Sequence, residues 1–254
     1  MITPADIQRI KDLLPTSLGS DELRSSIASD ILRRSVFSAR MESARYLARI
    51  REVCAQVSEG SINQATARAR LLETLSQMGH SPLDGGGLTN PASIRRLNLI
   101  VDTQRQMAAS VSRIQTQTPG TLAAYPAWEL TRLVGKAVPR EDWPARWRNA
   151  GESIGWEGAL KDHFIALKTS PIWQALGDGA GGFRDTLGNP YPPFAYSSGM
   201  AWVAVDRETC ERLGLSGPEP ETVPSASLSP AEKDIADAAS RLGFTLEDLA
   251  EGLE

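Results

Sequence analysis

All six tryptophans of this chain, Trp128, Trp143, Trp147, Trp156, Trp173 and Trp202, fall in its second half. Each indole buries a large apolar surface and favours offset or edge-on contact with other rings. A stretch so loaded must collapse around ring packing rather than around one long regular element. The stretch is also dense in glycine and proline, which punctuate regular structure. Before residue 120 there is no tryptophan, and apolar residues recur at helical spacing. The pattern predicts a predominantly α-helical α+β chain: a helical domain over 1–120, a small α+β domain over 121–215 with long Pro/Gly/Trp-rich loops, a linker over 216–228 and a helical tail over 229–254.

Punctuation sets the expected helices. Thr3 caps and Pro4 opens a helix that Pro15 stops. Ser20, followed by Asp21 and Glu22, opens a pattern that runs to residue 58, with Leu23, Ile27, Ile31, Ala44, Leu47, Cys54 and Val57 on its apolar side. So long a helix is unusual, and Ser35–Ser38 is the expected break. Gly60 ends it, Ser61 opens a helix over 62–78, and Gly79 closes that one. Three consecutive glycines make 80–89 a loop. Asn90 and Pro91 open a helix to about Gln117, with Ile94, Leu97, Val101, Met107, Val111 and Ile114 inside, and Thr118–Pro119–Gly120 terminates it. Beyond 120, Ala127–Val134 reads as a strand or short helix, Phe164–Leu167 and Ala201–Val205 as strands. Asp206 begins a short helix that Gly214 ends. Helix is expected again over 230–242 and after Thr245.

Composition excludes more than it names. At 41% hydrophobic and 23% charged residues the chain has the profile of an ordinary globular protein. No apolar run approaches the length of a membrane span, so no membrane contact is expected. The opening MITPADIQRIKDLL puts charges where a signal peptide needs an apolar stretch. Two isolated cysteines, Cys54 and Cys210, make no disulfide framework, and two histidines fall short of the usual zinc set. The net charge of −4 hides a division: residues 1–150 carry 20 Lys+Arg against 14 Asp+Glu, and residues 151–254 carry 7 against 17. The basic excess is mostly arginine, whose forked donors suit packed interfaces and phosphate backbones. Arg33, Arg34, Arg40, Arg45, Arg95 and Arg96 are the candidates for nucleic-acid contact. Pairing of the helix arginines with Glu42, Glu52, Glu73 and Asp102 is the plainer alternative.

Catalytic signatures are sparse. GxxxxGK[ST] and GxSxG are both absent, and DGAGGF at 178–183 lacks the strand and helix that a phosphate loop needs. His163, beside the Phe164 strand, is the better of the two histidines for chemistry. A metal could draw on it with Asp162, Asp178, Asp185 or Asp206, at no diagnostic spacing. An enzyme in 125–215, a hydrolase or transferase on a nucleotide or nucleic acid, would use His163, Lys168, Asp185, Tyr191, Tyr196 and Asp206. The segment GNPYPPFAYSSGM at 188–200 is the richest. Its three prolines stiffen an extended ribbon carrying Tyr191, Pro193, Phe194 and Tyr196. That ribbon is either a preformed recognition loop or an internal buckle over the small sheet. Lys168, Trp173 and Trp202 flank it as further docking candidates. No cofactor is called for.

The order WELTRLVGKAVPREDWPARWRNAG, DHFIALKTSPIW and GNPYPPFAYSSGMAWVAVDRETCERLGL, after a helical half, resembles prophage-encoded minor head or head-morphogenesis proteins of the Mu F-like group. The resemblance is strongest over 125–215. Ala166–Lys168 corresponds to that group's His/Asp–Gly-type strand motif and Pro190–Gly199 to its proline-rich terminal motif. The chain departs from the latter: Ser197, Ser198 and Gly199 stand where the group has cysteines, and Ala195 follows Phe194 where the group has histidine. The resemblance implies a virion protein, made in the host cytoplasm, that joins portal and capsid proteins during head assembly in one or several copies per particle, with packaged DNA as a further partner.

Overall fold

The computed structural model describes residues 2–84, 87–133, 140–156 and 163–215. The expected linker and tail over 216–254, the end of the 127–134 segment and Asp162 lie outside them. The described residues are predominantly helical with a small sheet, an α+β fold. They form two compact units, 2–112 and 113–215.

The N-terminal unit starts at Thr3, whose hydroxyl accepts from the Asp6 N–H while the Asp6 carboxylate accepts from the Thr3 N–H at 2.8 Å. This reciprocal cap opens α1 (Pro4–Arg9). The helix is shorter than expected. It gives way to strand β1 (Asp12–Leu13), which pairs in parallel with β2 (Ser35–Val36). The long pattern after Ser20 is likewise cut more often than periodicity shows, into α2 (Ser20–Ser26), α3 (Ser29–Arg34) and β2, followed by α4 (Ala44–Glu59). The expected break at 35–38 is present, and a second falls at Ile27, whose backbone is extended.

Three helices then build the core. α4 ends at Gly60, which takes the left-handed φ of 81° that glycine adopts without penalty. α5 (Gln64–Gln77) is capped by Asn63 rather than Ser61, through an Asn63 Oδ1 to Thr66 N–H bond of 2.9 Å. Asn63→Ala is therefore expected to cost about 1 kcal/mol, read as a lowered urea midpoint with unchanged slope. α6 (Ile94–Gln115) begins three residues after Pro91, with the Ser93 hydroxyl accepting from the Arg96 N–H. Tyr46, Leu47, Ile50, Val53 and Cys54 of α4 pack with Leu71 and Leu75 of α5 and Leu97 and Val101 of α6 in one buried cluster. Among the described residues no helix is long and apolar enough to cross a membrane.

In the C-terminal unit, Thr118–Pro119 opens a helix as well as ending one: Thr118 caps α7 (Pro119–Ala124). Strand β3 (Ala127–Arg132) follows, then α8 (Trp143–Ser153), β4 (Ile165–Leu167), α9 (Ile172–Asp178), β5 (Met200–Val205) and α10 (Arg207–Arg212). The sheet is antiparallel, in the order β4-β3-β5. Trp128 lies opposite Ala166 and Ala204, and Leu130 opposite Trp202. Alternation puts Trp128, Leu130 and Trp202 on one face and Ala127, Glu129 and Val205 on the other. The second face packs Ala127, Ile165 and Val205 against Cys210 and Leu213.

Candidate functional site

The first face of the sheet carries a continuous aromatic cluster. Trp128 and Trp202 stack nearly parallel with centroids 5.2 Å apart. Trp202 meets Trp173 edge-on at 5.3 Å, and Trp173 meets Trp147 at 5.5 Å. Trp147 in turn contacts Trp156 and Phe164. The Trp173 indole N–H donates to the Leu167 carbonyl at 2.8 Å, which fixes α9 to the end of β4.

The proline-rich segment closes over this cluster. The Leu187 N–H donates to the Phe194 carbonyl, and Asn189 Nδ2 donates to the Pro193 carbonyl at 3.0 Å. The Phe194 ring then sits against Trp173 and Trp202. Tyr191, Pro193, Phe194, Trp173 and Trp202 are all buried. This corrects the docking reading of these five: their rings are spent on internal packing, and the segment is the internal buckle. Tyr196 is half-buried, and its carbonyl accepts from Arg140 at 2.9 Å.

Beside the buckle lies an ionic cluster. The Arg146 guanidinium lies over the Phe183 ring at 4.2 Å and the Trp143 ring at 5.3 Å. It donates to Asp142 at 2.9 Å and to Asp185 at 2.7 Å. Arg140 also pairs with Asp185. Partial burial alone would raise the Asp185 pKa, but the hydrogen bonds from Arg146 and Arg140 outweigh it and hold the carboxyl below its ordinary range. Periodicity could find the Asp142–Arg146 pair, four apart on one helix, but not the distant Asp185.

Lys168 occupies a different place. Its ammonium sits 4.1 Å from the centre of the Trp128 ring and donates to Gln117 Oε1 at 2.6 Å. Arg113 addresses the same ring at 5.8 Å and donates to the Trp202 carbonyl at 2.6 Å. Burial, reinforced by the Arg113 charge, lowers the Lys168 pKa to about 8. His163 and Glu129 pair at 3.4 Å on the second face of the sheet, with the imidazole more than half exposed. Asp206 caps α10 through the Thr209 N–H at 2.7 Å, the main cause of its lowered pKa. The candidates for catalysis thus divide: Asp185 and Tyr196 meet at Arg140, Lys168 lies on Trp128, His163 on the opposite face, Asp206 in a cap and Tyr191 in the interior. Among the described residues no three His, Cys, Asp or Glu side chains gather as metal ligands.

No protein-family model, curated protein or solved structure matches this chain.

The six arginines proposed for nucleic acid have unlike fates. Arg96 is buried and donates to Ser38 Oγ at 2.8 Å and to the carbonyls of Ala39, Leu88 and Thr89. It straps two loops together. Arg33 is buried, and Arg34 is half-buried with its Nε 3.9 Å from Asp12. Burial corrects the nucleic-acid reading for Arg33 and Arg96, because a guanidinium inside the unit cannot meet a phosphate backbone. Arg40, Arg45 and Arg95 are exposed, and Arg45 reaches Gln77 Oε1 at 3.0 Å.

Proposed function

We propose that this chain is a minor head or head-morphogenesis protein of a phage or prophage. On this reading it acts by association with portal and capsid proteins during head assembly, in the host cytoplasm and then in the virion, in one or several copies per particle. Packaged DNA is a further partner through exposed arginines such as Arg40, Arg45 and Arg95. The observation that carries the reading is how residues 113–215 use their polar groups. Asp185, Arg140 and Arg146 cross-link separate segments, Asp206 caps a helix, and the Tyr196 carbonyl accepts from Arg140. Groups committed in this way give a body of fixed outline, and association by complementary surfaces needs that rather than a reaction chamber. The competing reading, a hydrolase or transferase on nucleotide or nucleic acid, requires the same side chains to converge on one substrate. The resemblance over 125–215 supports the assembly reading independently.

The test is fractionation of the native chain, expressed with its neighbouring genes, on a density gradient. The expected result is co-migration with portal- and capsid-containing particles at a fixed ratio. A chain that stays at the top of the gradient while complete heads form without it overturns the proposal.

A further inference from the structure

Lys168 and Arg113 present two cations to one indole, and among the described residues neither has a carboxylate within ion-pair distance. This contrasts with Arg140 and Arg146 in the same unit, which share Asp185. Lys168 is half-buried and Arg113 exposed, and a like charge beside a half-buried ammonium costs free energy that a bound anion offsets. Trp202 lies against Trp128, so the stack holds the ring that both cations address. The anchors are fixed as well. Gln117 Oε1 takes one of the three ammonium N–H donors of Lys168, and the Trp202 carbonyl takes a donor from Nη1 of Arg113. Both side chains are therefore held in place with donors to spare.

We infer that Lys168, Arg113 and Gln117 form a site for one phosphate group, with the two cations donating to its oxygens and Gln117 orienting the ammonium. Charge-assisted bonds from a lysine and an arginine are the usual means of holding such a group, and a doubly charged oxyanion offsets both cations at once. The phosphate is either free or carried on a nucleic-acid backbone. Burial and the Arg113 charge leave an appreciable fraction of the Lys168 amine unprotonated near neutral pH, so its acylation rate is a sensitive reporter of an arriving anion.

The experiment is trace acetylation of the full chain across pH, with the extent at each lysine read by mass spectrometry. Three arms are compared: inorganic phosphate, a short DNA oligonucleotide, and chloride at matched ionic strength. Phosphate is expected to slow acetylation of Lys168 selectively and to move its titration upward. Protection by phosphate and more strongly by the oligonucleotide identifies the backbone as the source. Protection by phosphate alone identifies the free ion. Arg113→Gln should weaken phosphate protection by about tenfold, the effect of losing one charge-assisted contact. Lys168→Gln should abolish phosphate-induced change in tryptophan fluorescence while keeping the wild-type near-ultraviolet spectrum, which separates loss of the site from loss of the fold. Equal acetylation in the phosphate and chloride arms overturns the inference, as does phosphate protection undiminished by Arg113→Gln.

Discussion

Gly177→Ala is expected to abolish folding of residues 113–215, at a cost above about 4 kcal/mol. Gly177 lies near the end of α9, and a Cβ there would stand 1.7 Å from the Asn189 carbonyl oxygen and 2.6 Å from its carbon. Non-bonded carbon contacts settle near about 3.5 Å or beyond, so the two backbones would have to part by well over an ångström. They have no freedom to do so. The Gly188 N–H donates to the Gly177 carbonyl at 2.8 Å, and Asn189 is fully buried. The segment beyond it is pinned by Phe194 against Trp173 and Trp202, and Trp173 belongs to the same helix as Gly177. Retreat of Asn189 would therefore draw Phe194 out of the cluster. Gly120→Ala is the control: the nearest atom to a Cβ there is Thr118 Oγ1 at 3.9 Å, inside α7. It should be neutral or stabilise by up to about 1 kcal/mol. Since every tryptophan lies in this unit, near-ultraviolet circular dichroism reads the outcome directly. A Gly177→Ala variant with a wild-type tryptophan spectrum and melting temperature would show that the close approach is dispensable.

That contact illustrates what the amino-acid order hides. Local signals wrote themselves clearly: Thr3, Gly60 and Asp206 each mark a helix end because capping is a contact among near neighbours. Strands β4 and β5 were legible for the same reason, as short apolar runs between punctuators, whereas the run at 127–134 left strand and short helix both open. Gly177 carries no such mark, since its partner is a backbone oxygen in another segment. The pairing of Asp12–Leu13 with Ser35–Val36 is equally silent. Two residues make no periodic pattern, so the break at Ser35–Ser38 was legible while the strand at Asp12–Leu13, inside the segment read as helix up to Pro15, was not.

The candidate site divides along the same line. Tryptophan density announced ring packing, but the choice between an inward and an outward proline-rich segment rested on the Asn189 to Pro193 closure, a bond among backbone and side-chain atoms that composition cannot order. Arg95 and Arg96 make the point more sharply. They are adjacent and chemically identical, and one is exposed while the other is buried with acceptors from two loops. The expected apolar face of α6 included Ile94, which is 62% exposed. The buried face runs instead through Arg96, Leu97, Val101, Gln104 and Ala108, because a guanidinium whose two terminal nitrogens donate to three carbonyls and a hydroxyl can be taken out of water.

Lys11→Met is expected to stabilise the N-terminal unit by as much as about 3 kcal/mol at neutral pH and to remove an upward trend of stability with pH. Lys11 is 2% exposed, two residues beyond α1, and its ammonium donates to Gln104 Oε1 at 2.8 Å. Among the described residues no carboxylate pairs with it. Burial lowers its pKa from 10.5 to about 8, with a small opposing effect from nearby Cys54. The folded amine thus sheds its proton near pH 8 while the unfolded chain keeps it to about 10.5, and stability must rise with pH across that window. Cys54 acts the other way. Burial pushes its thiol from 9.0 up to about 12, so above pH 9 the unfolded chain ionises the thiol first and stability falls. The two together give a gain of about 1 kcal/mol between pH 7 and 9, then a plateau, then a decline. Methionine matches the lysine stem in length and carries no charge, and Gln8 Nε2 still donates to Gln104 Oε1 at 3.2 Å, so the deletion leaves no orphaned acceptor. Hydrogen exchange of α4 amides against pH in both proteins separates this unit from the tryptophan-bearing one. A wild-type profile that is flat from pH 7 to 9, or a variant less stable than wild type at pH 7, would mean that the buried ammonium is not a net burden on the fold.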